Sequence, residues 1–346
     1  MKPSFRATTI DDLDSIRAFL GEIFEVGSDA PFLSPAMLNW KYWEQRGDWS
    51  GPRGYVLEQD GKIAAHAGLW PLSVGTGPDS LHGAQLIDWG ASRKSSGAGI
   101  SLLMKVIRKF DFMIGIGGTE ATRKILPAFG FKTLQKMWKG ARPVRPLSQV
   151  LTHQERNWKL PLRFLRNSFW ASQPSTSPFR QWTAREIAPH EISSAIYAAA
   201  SSESVFTPRP PAFFDYLLRC PEVPFHLYGI FDQQGARGHF AISLVRGQAR
   251  IAGVWLIEPT AEAWATAYSL AMTTLRTIPG AKEILTAGCD AMSKQGAALA
   301  GFRIVEGAEI SLLDEKNRLS LPSDFQLQLG DDDAAFLDTG RPTYVT

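Results

Sequence analysis

The spacing of apolar positions along the first part of the chain changes repeatedly between the period of a strand and that of a helix. It predicts a short strand over residues 5–8, then a helix that Thr9 or Asp11 caps, then a second helix over residues 35–43. Asp60 and Gly61 separate two strand-like runs, which is typical of a tight hairpin. The pattern therefore predicts a strand, two helices and a series of strands, in that order.

A glycine-containing turn follows the next predicted strand, residues 85–90. Apolar residues recur at helical spacing from Leu102 onward, so a helix should begin near Gly99. Glycine lets backbone N–H groups turn inward around an anion, the start of a helix carries partial positive charge, and Arg93 adds a full charge. The turn is therefore predicted to cradle a pyrophosphate. It comprises Lys94, Ser95, Ser96, Gly97, Ala98 and Gly99.

This turn resembles the Q/R-x-x-G-x-G/A loop of the acyl-CoA N-acyltransferase superfamily called GNAT, with Lys94 in place of the usual Arg or Gln. A strand over residues 112–116, a helix over residues 119–128 and the pair Gly130-Phe131 follow in the order of that superfamily. The sequence contains neither a Walker-type Gly-Lys-Ser/Thr nor the dinucleotide G-x-G-x-x-G. The resemblance implies an α/β protein of the α+β type, with a mixed, mostly antiparallel sheet flanked by helices.

The resemblance also implies an N-acyltransferase that uses an acyl-CoA, with acetyl-CoA expected, as its cosubstrate and needs no metal. In that superfamily, backbone N–H groups of the fourth strand hold the thioester carbonyl, at positions that are here Trp89, Gly90 and Ala91. Many members place a carboxylate on the same strand as the base, and Asp88 is the only ionisable residue of this strand. A strand-end ion pair with Arg93 or Lys94 is the alternative interpretation of Asp88.

Acyl transfer from a thioester also needs a group that protonates the leaving thiolate, and at this position the sequence departs from the superfamily pattern. Most members have a Tyr four residues before the closing Gly, and that position is Leu126 here. His66 on the predicted third strand titrates near neutrality, and Glu120 follows the predicted fifth strand. Both are candidates, and a hydrogen-bonded core position is the alternative interpretation of His66.

Landmarks of the first half recur later in the chain at an almost constant spacing. Residues 211–216 echo residues 35–40, Gln234-Gly235 echoes Asp60-Gly61, and Gly301-Phe302 echoes Gly130-Phe131. The chain is therefore predicted to contain two tandem GNAT-like domains. Their bounds are 1–145 for an acyl-CoA-binding catalytic domain, 146–180 for a linker, and 181–346 for a degenerate domain with a C-terminal strand.

The second copy lacks the features of an anion site. Residues 258–264 stand where the phosphate loop should be, and they contain no glycine pair and no basic residue. Glu258 and Glu262 would repel a pyrophosphate. Only the first copy is therefore expected to bind acyl-CoA, and the second is predicted either to supply part of the acceptor cleft or to be purely structural.

Residues 140–178 join the two copies and are rich in proline, tryptophan and basic side chains. Such a mix is typical of a peripheral contact with an anionic membrane surface, of a site for a phosphorylated substrate, or of a solvated strap whose apolar residues dock onto the two domains. We favour the strap. Further on, residues 325–329 are predicted to form an added strand, and the acidic run 330–333 a solvated loop.

Composition adds few constraints. The 346 residues, 44% of them apolar, are enough for two cores, and a net charge of +3 gives no reason to expect nucleic-acid binding. Two cysteines and the lack of a long apolar run favour a cytoplasmic protein. Trp40 and Trp43 lie where acceptors enter GNAT enzymes, and they are predicted either to contact the acceptor or to pack onto the sheet.

Together these features predict an acyl-CoA-dependent N-acyltransferase that acts on a small amine or an amino sugar. A FemAB-like aminoacyl-tRNA-dependent ligase and a non-catalytic acyl-CoA-binding module are the alternatives. The glycine pair argues against the ligase, while the missing Tyr leaves the binding module open.

Overall fold

The computed structural model describes residues 3–74, 80–152, 158–198, 209–319, 326–340 and 344–346. In this part of the chain the strands are β1 (Ser4–Ala7), β2 (Gly54–Gln59), β3 (Lys62–Val74), β4 (Leu81–Ala91), β5 (Phe112–Ile116), β6 (Lys132–Pro143), β7 (Thr183–Glu186), β8 (Phe225–Asp232), β9 (Gly235–Val245), β10 (Gln248–Leu256), β11 (Glu283–Gly288) and β12 (Arg303–Leu313). The helices are α1 (Leu13–Phe24), α2 (Pro35–Tyr42), α3 (Ala98–Val106), α4 (Glu120–Ile125), α5 (Pro146–Leu151), α6 (Leu160–Ser172), α7 (Ala195–Ala198), α8 (Pro211–Leu218), α9 (Ala261–Thr277) and α10 (Ala291–Leu299).

The elements of the first half form where the apolar pattern predicted them. The hairpin between β2 and β3 closes with Gln59 opposite Lys62. Its two loop residues, Asp60 and Gly61, have φ angles of 51° and 73°. Positive φ at both positions matches the right-handed twist of the strands, and Asp-Gly accepts it readily. The predicted hairpin is confirmed.

The chain divides into two compact units, each built from separate segments. Unit 1 comprises Met1–Gln135, Thr207–Glu222 and Ala308–Ser320. Unit 2 comprises Lys136–Phe206, Val223–Gly307 and Leu321–Thr346. Helix α8 and the end of β12, both from the second repeat, therefore belong to unit 1. The predicted boundaries at 145 and 180 assume contiguous domains, and they stay a prediction.

The sheet of unit 1 has the strand order β1-β2-β3-β4-β5-β12. Its neighbouring strands are antiparallel except for β4 and β5, which are parallel. Helix α3 covers this sheet with Leu102, Leu103 and Val106, which are fully buried among side chains of β2 and β3. This arrangement fixes the start of α3 at the end of β4, where the glycine turn lies.

The sheet of unit 2 has the order β6-β11-β10-β9-β8-β7. Its neighbours are antiparallel except for β10 and β11, which are parallel. Helix α9 buries Trp264, Tyr268 and Met272 in the core of this unit. Each unit thus has one parallel pair in an otherwise antiparallel sheet, and the predicted α/β fold with two related copies is confirmed.

Two predictions for the second half were wrong. The acidic run is not a solvated loop, because Asp331 is buried and its carboxylate accepts a hydrogen bond from the backbone N–H of Gln328 at 2.8 Å. The added strand is reduced to a single bridge between Gln328 and Gly288, followed by a 3-10 turn over Leu329–Asp331. Position 325 of the predicted strand lies outside the described residues.

The linker also differs from the favoured strap. It forms helices α5 and α6, and several of their large apolar side chains stay exposed instead of docking. None of the helices among the described residues combines the length and the apolarity needed to cross a membrane.

Tyr216 joins helix α8 to helix α2 by both stacking and hydrogen bonds. The ring of Tyr216 stacks on Trp40, with centroids 4.7 Å apart and planes 6° from parallel. Its hydroxyl donates to the carbonyl oxygen of Trp40 at 2.6 Å and accepts from the Arg53 guanidinium at 2.7 Å. Burial raises the pKa of Tyr216 to about 12, against the opposing charge of Arg53. The phenol is therefore neutral and acts as a structural donor.

We expect Tyr216→Phe to lower the free energy of unfolding by about 1–3 kcal/mol, because it leaves the buried Arg53 guanidinium and Trp40 carbonyl short of a partner. Urea denaturation measures the change. Leu218→Ala on the same helix is the control, since Leu218 is exposed and should change stability much less. Equal changes in the free energy of unfolding for the two variants would contradict the assignment of the Tyr216 hydroxyl as a structural hydrogen-bonding group.

Candidate functional site

The parallel strands β4 and β5 separate after a short ladder. Gly83, Ala84 and Gln85 pair with residues 112–114. Within the described residues the ladder ends there, although β4 continues to Ala91 and β5 to Ile116. Backbone groups of β4 beyond Gln85 are therefore no longer covered by β5, and a slot opens between the two strands.

A bulge in β4 lies beside this slot. The pairing of β4 with β3 shifts between His66↔Gly90 and Gly68↔Ile87, so β4 carries an extra residue there. Asp88 within the bulge has a φ of 45°, a left-handed conformation that Asp adopts more readily than most residues but still at a cost. The surrounding contacts must therefore hold Asp88 in place.

Helix α2 supplies those contacts. The Lys41 ammonium lies 2.5 Å from Asp88 Oδ2, and the Tyr42 hydroxyl donates to the same oxygen at 2.6 Å. The side chains of Lys41 and Asp88 are only 1% and 6% exposed. Burial alone would raise the pKa of Asp88, but the charge and hydrogen bond of Lys41, together with Tyr42, lower it below its ordinary value. The ion pair that the sequence left open for Asp88 therefore exists, with Lys41 as its cation instead of Arg93 or Lys94.

His66, on β3, also contacts the bulge. It is fully buried, and its Nδ1 donates to the backbone carbonyl of Asp88 at 3.0 Å. Burial lowers the pKa of His66, so the imidazole is neutral near pH 7. His66 therefore occupies a hydrogen-bonded position in the core. The catalytic functions predicted for His66 and Asp88 stay predictions.

A cavity of about 540 Å³ lies at the end of the slot, and its size suits a small-molecule ligand. Four elements and one turn of unit 1 form its walls. The lining residues are Phe19, Glu22 and Ile23 of α1, with Glu25 just after it; Trp89, Gly90 and Ala91 of β4; Ser92, Arg93 and Gly97 of the turn; Gly99 and Ile100 of α3; and Thr119, Ala121, Thr122 and Ile125 at α4. The predicted glycine turn therefore faces a cleft.

The glycine turn presents backbone donors. Gly97 begins α3 with a φ of 77°, and no atom lies within 4 Å of where its Cβ would be. Among the described residues, the N–H groups of Gly97, Gly99 and Ile100 have no backbone acceptor, as expected for the start of a helix. At Gly99 a Cβ would come within 3.1 Å of the Ala91 Cβ, so glycine lets α3 pack closely on β4. The turn fits an anionic group.

The predicted basic and acidic residues at the cavity are exposed. Arg93 pairs with Glu25 at 2.5 Å, with side chains 89% and 69% exposed, and such a surface pair contributes little stability. Lys94 is exposed and does not line the cavity. Glu120 is three-quarters exposed and pairs with Lys124 at 2.7 Å, so its carboxylate is held at the surface and not in the cavity.

The two predicted acceptor tryptophans have different surroundings. Trp40 is fully buried between Trp70 and Tyr216, so the prediction that it contacts an acceptor is not supported. Trp43 donates through Nε1 to Thr8 Oγ1 at 3.2 Å and lines a separate cavity of about 780 Å³. The packing of α2 explains the burial of Trp40, while Trp43 remains a candidate for contact with an acceptor.

The sequence analysis did not predict that helix α1 lines the cavity. Phe19, Glu22 and Ile23 of this helix line the cavity, and the apolar spacing that predicted the helix did not mark them as site residues. Leu126, at the position where the resemblance leads us to expect a Tyr, is 2% exposed and belongs to the core of unit 1. That position therefore supplies no proton donor.

The corresponding slot in unit 2 is filled by the chain itself. The β10–β11 ladder covers only residues 248–250 and 283–285. Beyond it, the side-chain amide of Gln328 accepts from the N–H of Val254 at 2.7 Å and donates to its carbonyl at 2.8 Å. The backbone of Gln328 bridges Gly288 on the other strand. One amide side chain thus spans the gap between the two strands.

The start of α9 in unit 2 differs from that of α3, because a side chain caps it. The Thr260 hydroxyl caps the helix by accepting from the N–H of Ala263 at 3.1 Å. In α3 no side chain caps the helix. These two differences distinguish the repeats, and the expectation that only the first repeat binds an anionic cosubstrate stays a prediction.

Comparison of the sequence with protein-family models and with curated proteins found no match. Comparison with solved structures found similar folds at low sequence identity. A GCN5-related N-acetyltransferase from Anabaena variabilis aligns with a TM-score of 0.57 and 12% identity, over 90% of this chain and 72% of that one. An N-myristoyltransferase from Saccharomyces cerevisiae, solved with myristoyl-CoA, aligns with a TM-score of 0.57 and 11% identity, over 90% and 82%.

A third similar structure also has two repeats. It is a tandem GNAT protein from the clavulanic acid biosynthesis pathway, with a TM-score of 0.52, 13% identity, and coverage of 90% of this chain and 98% of that one. At these identities the likeness concerns the fold alone.

We expect Lys41→Met to lower the free energy of unfolding by about 3–5 kcal/mol, because it leaves the Asp88 carboxylate buried without its cation. The double variant Lys41→Met/Asp88→Asn should recover part of this loss. Because the pKa of Asp88 is lowered in the folded state, the pair stabilises the protein at neutral pH, and this contribution disappears as the pH falls through the folded pKa. Urea denaturation of the wild type and both variants at several pH values measures these changes in the free energy of unfolding.

Lys124→Met is the matched control, since it removes the cation of an exposed pair with Glu120. Its effect should be below about 1 kcal/mol. A loss as small as this for Lys41→Met would show that the buried pair does not hold the bulge.

Proposed function

Because the chain has the GNAT fold, we propose that it is an acyl-CoA-dependent N-acyltransferase whose active site is the slot between β4 and β5 of unit 1. One observation carries the proposal: the glycine turn with its open donors lies in the wall of the cavity to which this slot leads. We propose acetyl-CoA as the cosubstrate and an amine, either small or borne on a sugar, as the acceptor.

The turn would hold the pyrophosphate of the cosubstrate. Backbone N–H groups of Gly97, Gly99 and Ile100 offer hydrogen bonds to it, and the start of α3 and Arg93 offer favourable charge. The Arg93 side chain would exchange its exposed partner Glu25 for a phosphate oxygen, which costs little because that ion pair is solvated. These contacts would bind and orient the acyl-CoA without taking part in the chemistry.

The uncovered edge of β4 would polarise the carbonyl. In acyl transfer, an amine nitrogen forms a C–N bond as the C–S bond breaks, so negative charge develops on the carbonyl oxygen. Trp89, Gly90 and Ala91 line the cavity beyond the end of the β5 ladder. Their backbone groups are positioned by the bulge at Asp88, so the buried pair with Lys41 would act on the reaction by holding this edge.

We propose that the buried Lys41 and Asp88 do not move the protons of the reaction, and that solvent water carries a proton from the amine nitrogen to the leaving sulfur. One proton must leave the amine nitrogen and one must reach the sulfur. The lowered pKa of Asp88 makes its carboxylate a weak base while Lys41 is present, and we propose that Asp88 positions the strand. Glu22 on the α1 wall places an exposed carboxylate at the cavity, which would attract the ammonium form of an acceptor amine.

We expect acetyl-CoA to raise the melting temperature and Gly97→Asp to abolish the rise, because the added carboxylate lies where phosphate oxygens would sit. Saturation at a hundredfold excess over Kd corresponds to about 2.7 kcal/mol of stabilisation, which a thermal melt resolves readily. Gly61→Asp is the matched control, since Gly61 also has positive φ, of 73°, and open space around its Cβ position but lies outside the cavity.

Loss of the shift in both variants would point to a general effect of backbone strain, and an unchanged shift in Gly97→Asp would contradict the assignment of the turn. Release of CoA thiol with a library of amines then tests turnover. Binding without release would favour a non-catalytic acyl-CoA-binding module.

We further expect one acyl-CoA to bind per chain, because Gln328 fills the slot of unit 2 and Thr260 caps α9. Isothermal titration calorimetry measures the stoichiometry. Two sites of comparable affinity would contradict the inference that unit 2 is closed.

A further inference from the structure

Helices α5 and α6 of unit 2 expose a row of large apolar side chains. Leu162, Leu165 and Phe169 on α6 are 58%, 64% and 64% exposed. With Trp158 just before the helix they follow the spacing i, i+4, i+7, i+11, which places them on one face. Leu147 and Leu151, one turn apart on α5, are also exposed. We name these six residues the α5–α6 apolar surface.

A buried polar pair joins the opposite faces of the two helices. Asn167 Nδ2 donates to Gln149 Oε1 at 3.0 Å, and both side chains are fully buried. Leu165 and Phe169 stand two residues either side of Asn167, about 200° around the helix from it. Leu147 and Leu151 stand in the same relation to Gln149. These four apolar side chains therefore lie on the sides of the two helices turned away from the buried pair.

Positive charge accompanies this surface. Residues 158–172 contain Lys159, Arg163 and Arg166 and no acidic residue. The guanidiniums of Arg166 and Arg303 lie 4.8 and 5.1 Å from the centroid of the Trp170 ring. The pKa of Arg166 is lowered, first by burial and then by the charges of Arg303 and Arg163. The cations are thus held close together, at a cost that an anionic partner would relieve.

We propose that the α5–α6 apolar surface binds an anionic lipid bilayer, with the apolar side chains in the interface and the basic residues at the headgroups. An apolar helix face flanked by Lys and Arg and free of acids is the pattern of helices that lie in the plane of a membrane surface. A second copy of this chain fits less well. A two-fold dimer through this surface would bring the same cations together.

Co-sedimentation of the full chain with vesicles tests the proposal. We expect binding to vesicles of phosphatidylglycerol and phosphatidylcholine in equal parts, weaker binding at high salt, and little binding to phosphatidylcholine alone. Two variants should each lower the partition coefficient about tenfold or more. They are Leu162→Gln/Leu165→Gln/Phe169→Gln and Lys159→Gln/Arg163→Gln.

Two control variants match these changes elsewhere. Met292→Gln/Leu299→Gln removes exposed apolar side chains from α10, and Lys294→Gln/Lys316→Gln removes two exposed charges. Both should bind vesicles as the wild type does. Thermal melts of all variants confirm folding, because every changed side chain is outside the core.

Several results would overturn the proposal. They are no binding to anionic vesicles, equal binding to neutral ones, or wild-type binding by both α6 variants. A dimer seen by sedimentation velocity, lost in the triple apolar variant and accompanied by no vesicle binding, would assign the surface to a second copy. None of these measurements involves acyl-CoA, so the outcome is independent of the proposed catalytic function.

Discussion

The separation of β4 from β5 is the constraint on which the site of unit 1 depends. Two strands that stay paired leave no room for a ligand, and two that part expose backbone groups that need partners. The strand ladder ends at Gln85, and the bulge at Asp88 then turns the end of β4. A left-handed Asp is costly in a strand, and the buried charge of Lys41 holds it there.

In unit 2 the parallel strands β10 and β11 also separate after a short ladder, but there the chain itself fills the gap. Its parallel ladder is equally short, and Gln328 satisfies backbone groups of β10 that would otherwise lack partners. A primary amide can donate and accept at once, so one side chain suffices for both groups of Val254. The two repeats therefore share a topology, while their own residues determine whether the slot is open or closed.

Buried polar groups specify the structure at several of these points. Lys41 with Asp88 and Arg53 with Tyr216 join elements that are distant in sequence, and Asn167 with Gln149 joins two consecutive helices. Each pair is costly if one partner is lost, which ties the elements together more specifically than apolar contact does. In α5 and α6 the buried polar pair lies on the opposite side of the helices from the exposed leucines and Phe169.

The sequence by itself determined the order of elements, the turn at Gly97 and Gly99, and the existence of two repeats, because these depend on local spacing and on backbone conformations that few residues adopt. For Asp88 it left two interpretations open, a catalytic base and an ion pair with Arg93 or Lys94. Only the tertiary structure decided that Lys41 is the cation, that Trp40 is core, that α8 belongs to unit 1 and that Gln328 closes the second slot. Each of these findings depends on contacts between residues far apart in the chain. Such contacts depend on which helix and sheet faces pack together, and the apolar periodicity of one segment does not predict this.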